Sequence, residues 1–505
     1  MTTIVQLRDN RFDKYAPLFT REQEGASFVA DKSDELPKQT VSEETWNVLK
    51  EFNGDTLAEL VERGKDSVVV LSGTQHLNDK DRKKLYFLKM AGKDLDKQFR
   101  LETGNLMGVL RFRDRERRTS VQVEILSRFD KGENNFFLNY LLSKVYDFAL
   151  GTESVSSQRS SLLEILLDIV FVRRLGEASK AGLLRHYREF RNNDWNFKGS
   201  LDLARHIREN IPLMHGIAYR KREIDLDVPV NRMILKAALT VNRRHPGFFE
   251  GNRDAADALR QLRMGVTEEH DLRRVLSHRD CREPVTHPYF REVWEPLRQI
   301  AKMILEDEQW TLFPEETTED EVSGIVFDGA WLWEEYIATV LKSAGFRHCV
   351  RGGTGDETGV PMFKDGNARF YPDFYKDGED VSKRIVLDAK YKRANPNGAR
   401  NDVHQVLCYL LLTGAKLGGL VFPPVDQKCE DGEALKAEEN GKFDDKSKQR
   451  WSTAEGIETP YSMSSTNQIE WSCFSWAPIP KNNEDWTDFE KYMKEQEKAI
   501  REGVE

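Results

Sequence analysis

Hydrophobic and polar positions change rhythm three times along the 505 residues. Up to about residue 150, short apolar or alternating runs dominate. SVVVL at 67–71, LMGVLRF at 106–112 and SVQVEIL at 120–126 predict strands, with a charged turn at 114–119. Between Val41 and Arg63, EETWNVLKEF and TLAELVER predict two short amphipathic helices; one short strand is expected near Ile4, and a helix over FFLNYLLSKV. From 151 to about 300 helical spacing takes over. It begins with a Ser-rich linker and LLEILLDIVFV from Leu162, and runs through AGLLRHYREFRNNDWNFKGSLDLARHIRENIP and DVPVNRMILKAALTVNRRH. An acidic bridge from Glu306 leads to an α/β alternation, a polar insertion at 426–450, an aromatic strand and a terminal amphipathic helix. The fold class expected is therefore α+β and multidomain. A β-rich N-terminal domain (1–150) is followed by a helical middle (151–305), a C-terminal α/β domain (320–480) and a last helix (481–505).

The chemistry concentrates in 369–409, RFYPDFYKDGEDVSKRIVLDAKYKRANPNGARNDVHQVLCY. An aromatic run, an Asp-Gly turn signal and the apolar RIVLDAKY predict a hairpin. Alternation puts Asp388 and Lys390 on one face, and strand pairing brings Asp373 to them. Two carboxylates suit a hard cation such as Mg²⁺, which polarises a phosphoryl oxygen and lowers the pKa of a bound water. A lysine beside them holds or deprotonates that water and offsets developing charge. An isolated D-x-K is common by chance, so the flanking elements decide. Upstream, DGAWLWEEYIATVLKS predicts a helix carrying Glu334 and Glu335; downstream, NDVHQVLCYLLLTG predicts one with Gln405 and Tyr409 on a shared face.

Composition narrows the picture only a little. The net charge is −9, with no global signature of nucleic-acid binding, but Lys390, Lys392, Arg393 and Arg400 occur with no acid before Asp402. The alternating arginines and acids at 111–118 fit a solvated hairpin tip as well as a phosphate-binding arm. Trp471, Phe474 and Trp476 fit a sheet core better than base stacking. Five scattered cysteines without C-x-x-C fit a reducing compartment and no cluster or zinc site. Neither a leader nor a membrane span is evident, so the expectation is a soluble cytoplasmic protein. No G-x-x-x-x-G-K-[ST] occurs, and GGTGDETG at Gly352 lacks the Lys-Ser/Thr pair. No nucleotide is therefore expected on this chain.

Helix, P-D…D-x-K hairpin and Q-x-x-x-Y helix together resemble the PD-(D/E)xK nuclease superfamily in its Q-x-x-x-Y branch. The resemblance implies a restriction-endonuclease-like domain with Glu334, Asp373 and Asp388 around Mg²⁺. It further implies Lys390 serving the water, Gln405 orienting the site, and Lys392, Arg393, Arg400 and Tyr409 meeting double-stranded DNA. Glu334 is preferred to Glu335 because it follows a Leu-aromatic pair. TGNLMGVL, EILSRFD, FFLNYLLSKV and the segment from Gly182 to Pro212 add a resemblance to the McrC family. That implies the nuclease subunit of a restriction, phage-defence complex whose partner, McrB, is an AAA+ GTPase (or ATPase) ring. The N-terminal part of such a subunit would stimulate the ring, through an Arg or Lys within 68–118. A stand-alone nuclease and an inert regulatory subunit are the other readings.

Overall fold

The computed structural model describes residues 2–21, 27–30, 38–64, 67–71, 85–114, 119–130, 135–147, 162–212, 215–285, 288–312, 321–350, 359–362, 368–378, 380, 383–392, 400–415, 417–424, 461–462, 470–475 and 486–504. Two compact units form: Met1–Leu163 with Glu319–Glu505, and Glu164–Thr318. The 151–161 linker, the Gly352 loop, the 426–450 insertion, Arg115, Arg117, Arg118, Arg393 and Trp476 lie outside the described residues, as do the side chains of Arg113, Arg400, Trp471 and Phe474.

In chain order the first unit opens with β1 (Thr2–Arg8), β2 (Leu18–Arg21), β3 (Ser27–Ala30), β4 (Gln39–Ser42) and β5 (Val68–Val70). Then come β6 (Leu88–Asp94), β7 (Gln98–Thr103), β8 (Leu106–Asp114) and β9 (Thr119–Leu126). The second unit holds β10 (His186–Asp194), β11 (Ser200–Leu201) and β12 (Ile217–Asp225). The first unit resumes with β13 (Glu321–Asp328), β14 (Arg347–His348), β15 (Val360–Pro361), β16 (Arg369–Phe370) and β17 (Phe374–Lys376). It ends with β18 (Ile385–Ala389), β19 (Leu417–Phe422), β20 (Tyr461–Ser462) and β21 (Glu470–Ser475).

Two five-stranded sheets, β1-β9-β8-β13-β5 and β4-β3-β2-β7-β6, enclose the N-terminal core, where Phe19 stacks on Phe99 at 5.2 Å and Phe28 on Trp46 at 5.7 Å. The predicted helices form at Glu43–Glu51, capped by Ser42, and Leu57–Gly64. β2, β3 and β4 are absent from the sequence reading because each has four residues, too few to display a period. β13 arrives from the far half of the chain to lie between β8 and β5. Gly324 makes that approach possible: its φ is +150°, and a Cβ there would stand 2.0 Å from the Val109 carbonyl oxygen. Arg111, within the stretch expected to face a partner, is instead buried and donates to Gln122 Oε1 at 2.8 Å.

The second unit departs from the all-helical expectation. β10 and β12 pair over nine residues as an antiparallel ribbon, with β11 along one edge, where helical spacing had been read. Six of the nine β10 residues are exposed and none is buried, so no buried face marks the strand; cross-strand backbone bonds hold it instead. Tyr187, Trp195, Phe197, Leu201, Leu203, Ile207, Ile211 and Ile224 are all exposed in this region. Helices Leu162–Lys180, Pro229–Arg244, Arg253–Gly265 and Pro288–Leu312 form as the apolar spacing predicts.

A third sheet, β14-β17-β18-β19-β21-β20, carries the candidate site. Strand β17 runs antiparallel to β18, and β18 parallel to β19. Helix Trp486–Val504 packs into the same unit: Trp486 meets Phe136 at 5.7 Å, and Glu497 Oε1 accepts from Tyr140 Oη at 2.8 Å and Tyr336 Oη at 2.9 Å. Among the described residues, no helix is long and apolar enough to cross a membrane.

Candidate functional site

The predicted hairpin forms as β17 and β18, and the register Phe374↔Leu387 carried one step on puts Asp373 opposite Asp388. β18 is flanked on both sides by strands, so Asp388 is completely buried. Asp373 Oδ2 accepts the Ala389 amide at 2.8 Å, which fixes one carboxylate against the other strand. Lys390 Nζ forms an ion pair with Asp388 Oδ2 and donates to Gln405 Oε1 at 3.3 Å. Gln405 Nε2 in turn donates to Tyr409 Oη at 3.1 Å, and the Tyr409 ring stacks on Phe370 at 5.6 Å. One helical turn in Arg400–Thr413 separates the two residues, so the Q-x-x-x-Y spacing works as a local hydrogen-bonded pair.

Glu334 lies on the helix Gly329–Lys342, which starts at the end of β13 with Asp328 capping the Ala330 amide at 2.8 Å. Its charge acts on both aspartates, while Glu335 turns to the Trp331 indole N–H at 3.2 Å. Glu334 Oε1 is, however, 2.8 Å from His348 Nε2. His348 is a contact that sequence reasoning missed, and it stands on a two-residue strand with no motif around it.

The electrostatics follow from burial. Burial pushes the Asp373 carboxyl well above the usual carboxylate range; Asp388 and Glu334 push further, against the pull of Lys390 and the Ala389 amide. Burial raises Asp388 too, against the Lys390 ammonium. Burial opposes charge on Lys390, but Asp388 and Asp373 outweigh it and lift its pKa above the ordinary lysine value.

Do these groups fit a divalent cation? Asp388 Oδ1 is a buried carboxylate oxygen with no hydrogen-bond donor among the described residues, and oxygen donors of this kind suit a hard ion. Among the described residues, no three acidic, imidazole or thiol groups form a ready cage, and Glu334 is turned to His348. The donor set fits for Asp373 and Asp388, with Glu334 nearby.

The basic run is less open than its spacing suggests. Lys390 is committed to Asp388, and the exposed Lys392 pairs with Asp402 on the next helix. Arg400 begins that helix.

A family model described as McrBC 5-methylcytosine restriction system component matches residues 101–423. No curated protein matches the chain. Among solved structures, the chain is similar to a half-complex from the tetradecameric assembly of Thermococcus gammatolerans McrB AAA+ hexamers with bound McrC. That match has 12% identity and a TM-score of 0.48, and covers 99% of this chain and 100% of the other. A cryo-EM structure of the Thermococcus gammatolerans McrBC complex is similar at 15% identity and a TM-score of 0.30, over 68% of this chain and 88% of the other. Likeness at that level adds nothing to the assignment, which rests on the family model. That model takes in well over half of the chain, from β7 to β19 and through the whole candidate site, so the chain belongs to the McrBC 5-methylcytosine restriction system component family.

Proposed function

We propose that this restriction-system subunit is the Mg²⁺-dependent endonuclease of its complex. It would hydrolyse DNA phosphodiesters under the control of an AAA+ partner whose NTP hydrolysis it stimulates. The observation that carries the reading is the meeting of Asp373, Asp388 and Lys390 at one end of the β17–β18 hairpin, with Gln405 on the lysine.

In this reading Asp373 and Asp388 hold the ion, and Glu334 completes the acidic set. Mg²⁺, when bound, supplies Lewis-acid polarisation and a more acidic water. The chain's own groups do the rest. The Ala389 amide keeps Asp373 aimed at Asp388, and Gln405 keeps the ammonium between carboxylate and substrate. From that place Lys390 holds a phosphoryl oxygen or the attacking water and offsets negative charge as it develops. Tyr409, braced by Phe370, fixes Gln405. Contact with the DNA backbone falls to Arg393 and Arg400, and to Lys392 where a phosphate replaces Asp402 as its partner.

The exposed aromatic and aliphatic side chains of the second unit, with Tyr187 and Ile224 paired across the β10–β12 ribbon, support placing the partner contact there. Arg111, which lies in the stretch first expected to make that contact, is engaged inside its own sheet.

The test uses the chain with its AAA+ partner, nucleotide, Mg²⁺ and modified DNA. Asp388→Ala should abolish cleavage and leave stimulation of NTP hydrolysis intact. Cleavage at the wild-type rate by that variant would refute the site.

A further inference from the structure

The residue after Lys390 is tied to the opposite end of the chain. Tyr391 is buried, with its Oη 2.7 Å from Ser127 Oγ and 3.6 Å from Met107 Sδ. Phe129 meets its ring edge-on at 5.0 Å, and the Arg128 guanidinium lies over the ring, 4.8 Å from the centroid. Arg128 Nη2 also donates to the Tyr391 carbonyl. Arg128 is itself held by Asp9, just beyond β1: its amide donates to Asp9 Oδ1 at 2.6 Å, and its guanidinium stands 3.5 Å from Oδ2. Gly329, at the start of the Glu334 helix, lies beneath the same ring, where a Cβ would come within 2.7 Å of Tyr391 Cε1.

An apolar plug would join the two sheets without the cost of burying an ion pair. What the charged clamp adds is direction. Arg128 grips both the carbonyl and the ring of Tyr391, while the Lys390 amide is held from the other side by the Val421 carbonyl at 2.8 Å. A lysine side chain has four rotatable carbons, so its ammonium is reproducibly placed only if its backbone is. We propose that Arg128 and Tyr391 are positioning residues for Lys390, so that the loop after β9 sets where the ammonium stands. The inference rests on the nuclease reading for what Lys390 does there, but not for how it is held.

The experiment therefore has two readouts on the full chain. The first is the rate at which an amine-reactive ester labels Lys390, measured by peptide mass spectrometry, with half-buried Lys376 as internal reference. Arg128→Lys keeps a charge for Asp9 but loses the planar grip on Tyr391, and should raise Lys390 labelling about tenfold, the scale of one charge-assisted hydrogen bond. Lys376 should label at its wild-type rate. Tyr391→Phe keeps ring and carbonyl and should stay within about twofold of wild type. The second readout is DNA cleavage with the partner present: Arg128→Lys should lower kcat by about 10²-fold with KM for DNA unchanged. Wild-type labelling of Lys390 in Arg128→Lys, or an equal rise at Lys376, would overturn the proposal. A wild-type complex that fails to cut would count against the nuclease reading, and the labelling would still decide this one.

Discussion

Replacing Asp130 by Asn should flatten the pH dependence of stability between pH 4 and 7. Asp130 is buried where β9 turns toward the helix Phe136–Tyr146, and its carboxylate accepts the Phe137 amide at 2.7 Å and the Leu138 amide at 3.2 Å. Burial raises its pKa from 3.8 to about 6, against the pull of Arg8 and the two amides. The folded protein thus holds this proton more tightly than the unfolded chain. The associated stability is fully present below pH 4 and is lost as pH rises through about 6. At about 1.4 kcal/mol per pH unit, the loss amounts to about 3 kcal/mol. Urea unfolding at half-unit pH steps, followed by circular dichroism, measures it. Other buried acids with raised pKa, Asp9 among them, slope the same way in both proteins and cancel in the difference. The wild-type curve should fall about 3 kcal/mol further than that of the variant; parallel curves would show that Asp130 does not carry the proton.

Other outcomes follow from the same geometry. Asp373→Asn should raise the thermal midpoint of the metal-free protein at neutral pH, because one ammonium now serves two buried carboxylates, and should abolish cleavage; calorimetry should also find Mg²⁺ binding lost. Gly324→Ala should cost more than about 1 kcal/mol and lower the midpoint seen by scanning calorimetry, since the Cβ meets the Val109 carbonyl oxygen. Glu497→Ala removes the carboxylate to which the buried Tyr140 and Tyr336 hydroxyls donate, at a cost of about 1–3 kcal/mol for Tyr140 alone. Faster amide exchange in the helix Trp486–Val504 would report it. Tyr187→Ser combined with Ile224→Ser should weaken stimulation of the partner's NTP hydrolysis, with the melting profile unchanged because both side chains are exposed.

The hairpin and its flanking helices were legible because the chemistry sits on strong local signals: an Asp-Gly turn, an apolar run ending in Asp-x-Lys, and a four-residue spacing on a helix. β8, β9 and the helix Leu162–Lys180 were legible for a similar reason, since buried runs of that length leave little choice. The β10–β12 ribbon was not, because with most of its side chains exposed its sequence carries no burial period. Tyr391 and Arg128 escaped notice for another reason: their partner residues are 263 positions apart, and nothing in either neighbourhood names the other. The pairing of Lys392 with Asp402 was not legible either, because the acid lies ten residues on and nothing in the basic run names it.

The placement of β13 bears on how the protein is made. A ribosome emits β1 through β9, then the whole second unit, and only afterwards the strand that slots between β8 and β5. The earlier-born segment must wait with a gap in its sheet while the inserted unit completes itself. A recombinant piece starting near residue 320 would carry the acidic residues yet leave β13 with neither of its neighbours, so the region of the candidate site should not be separable from the front of the chain by truncation.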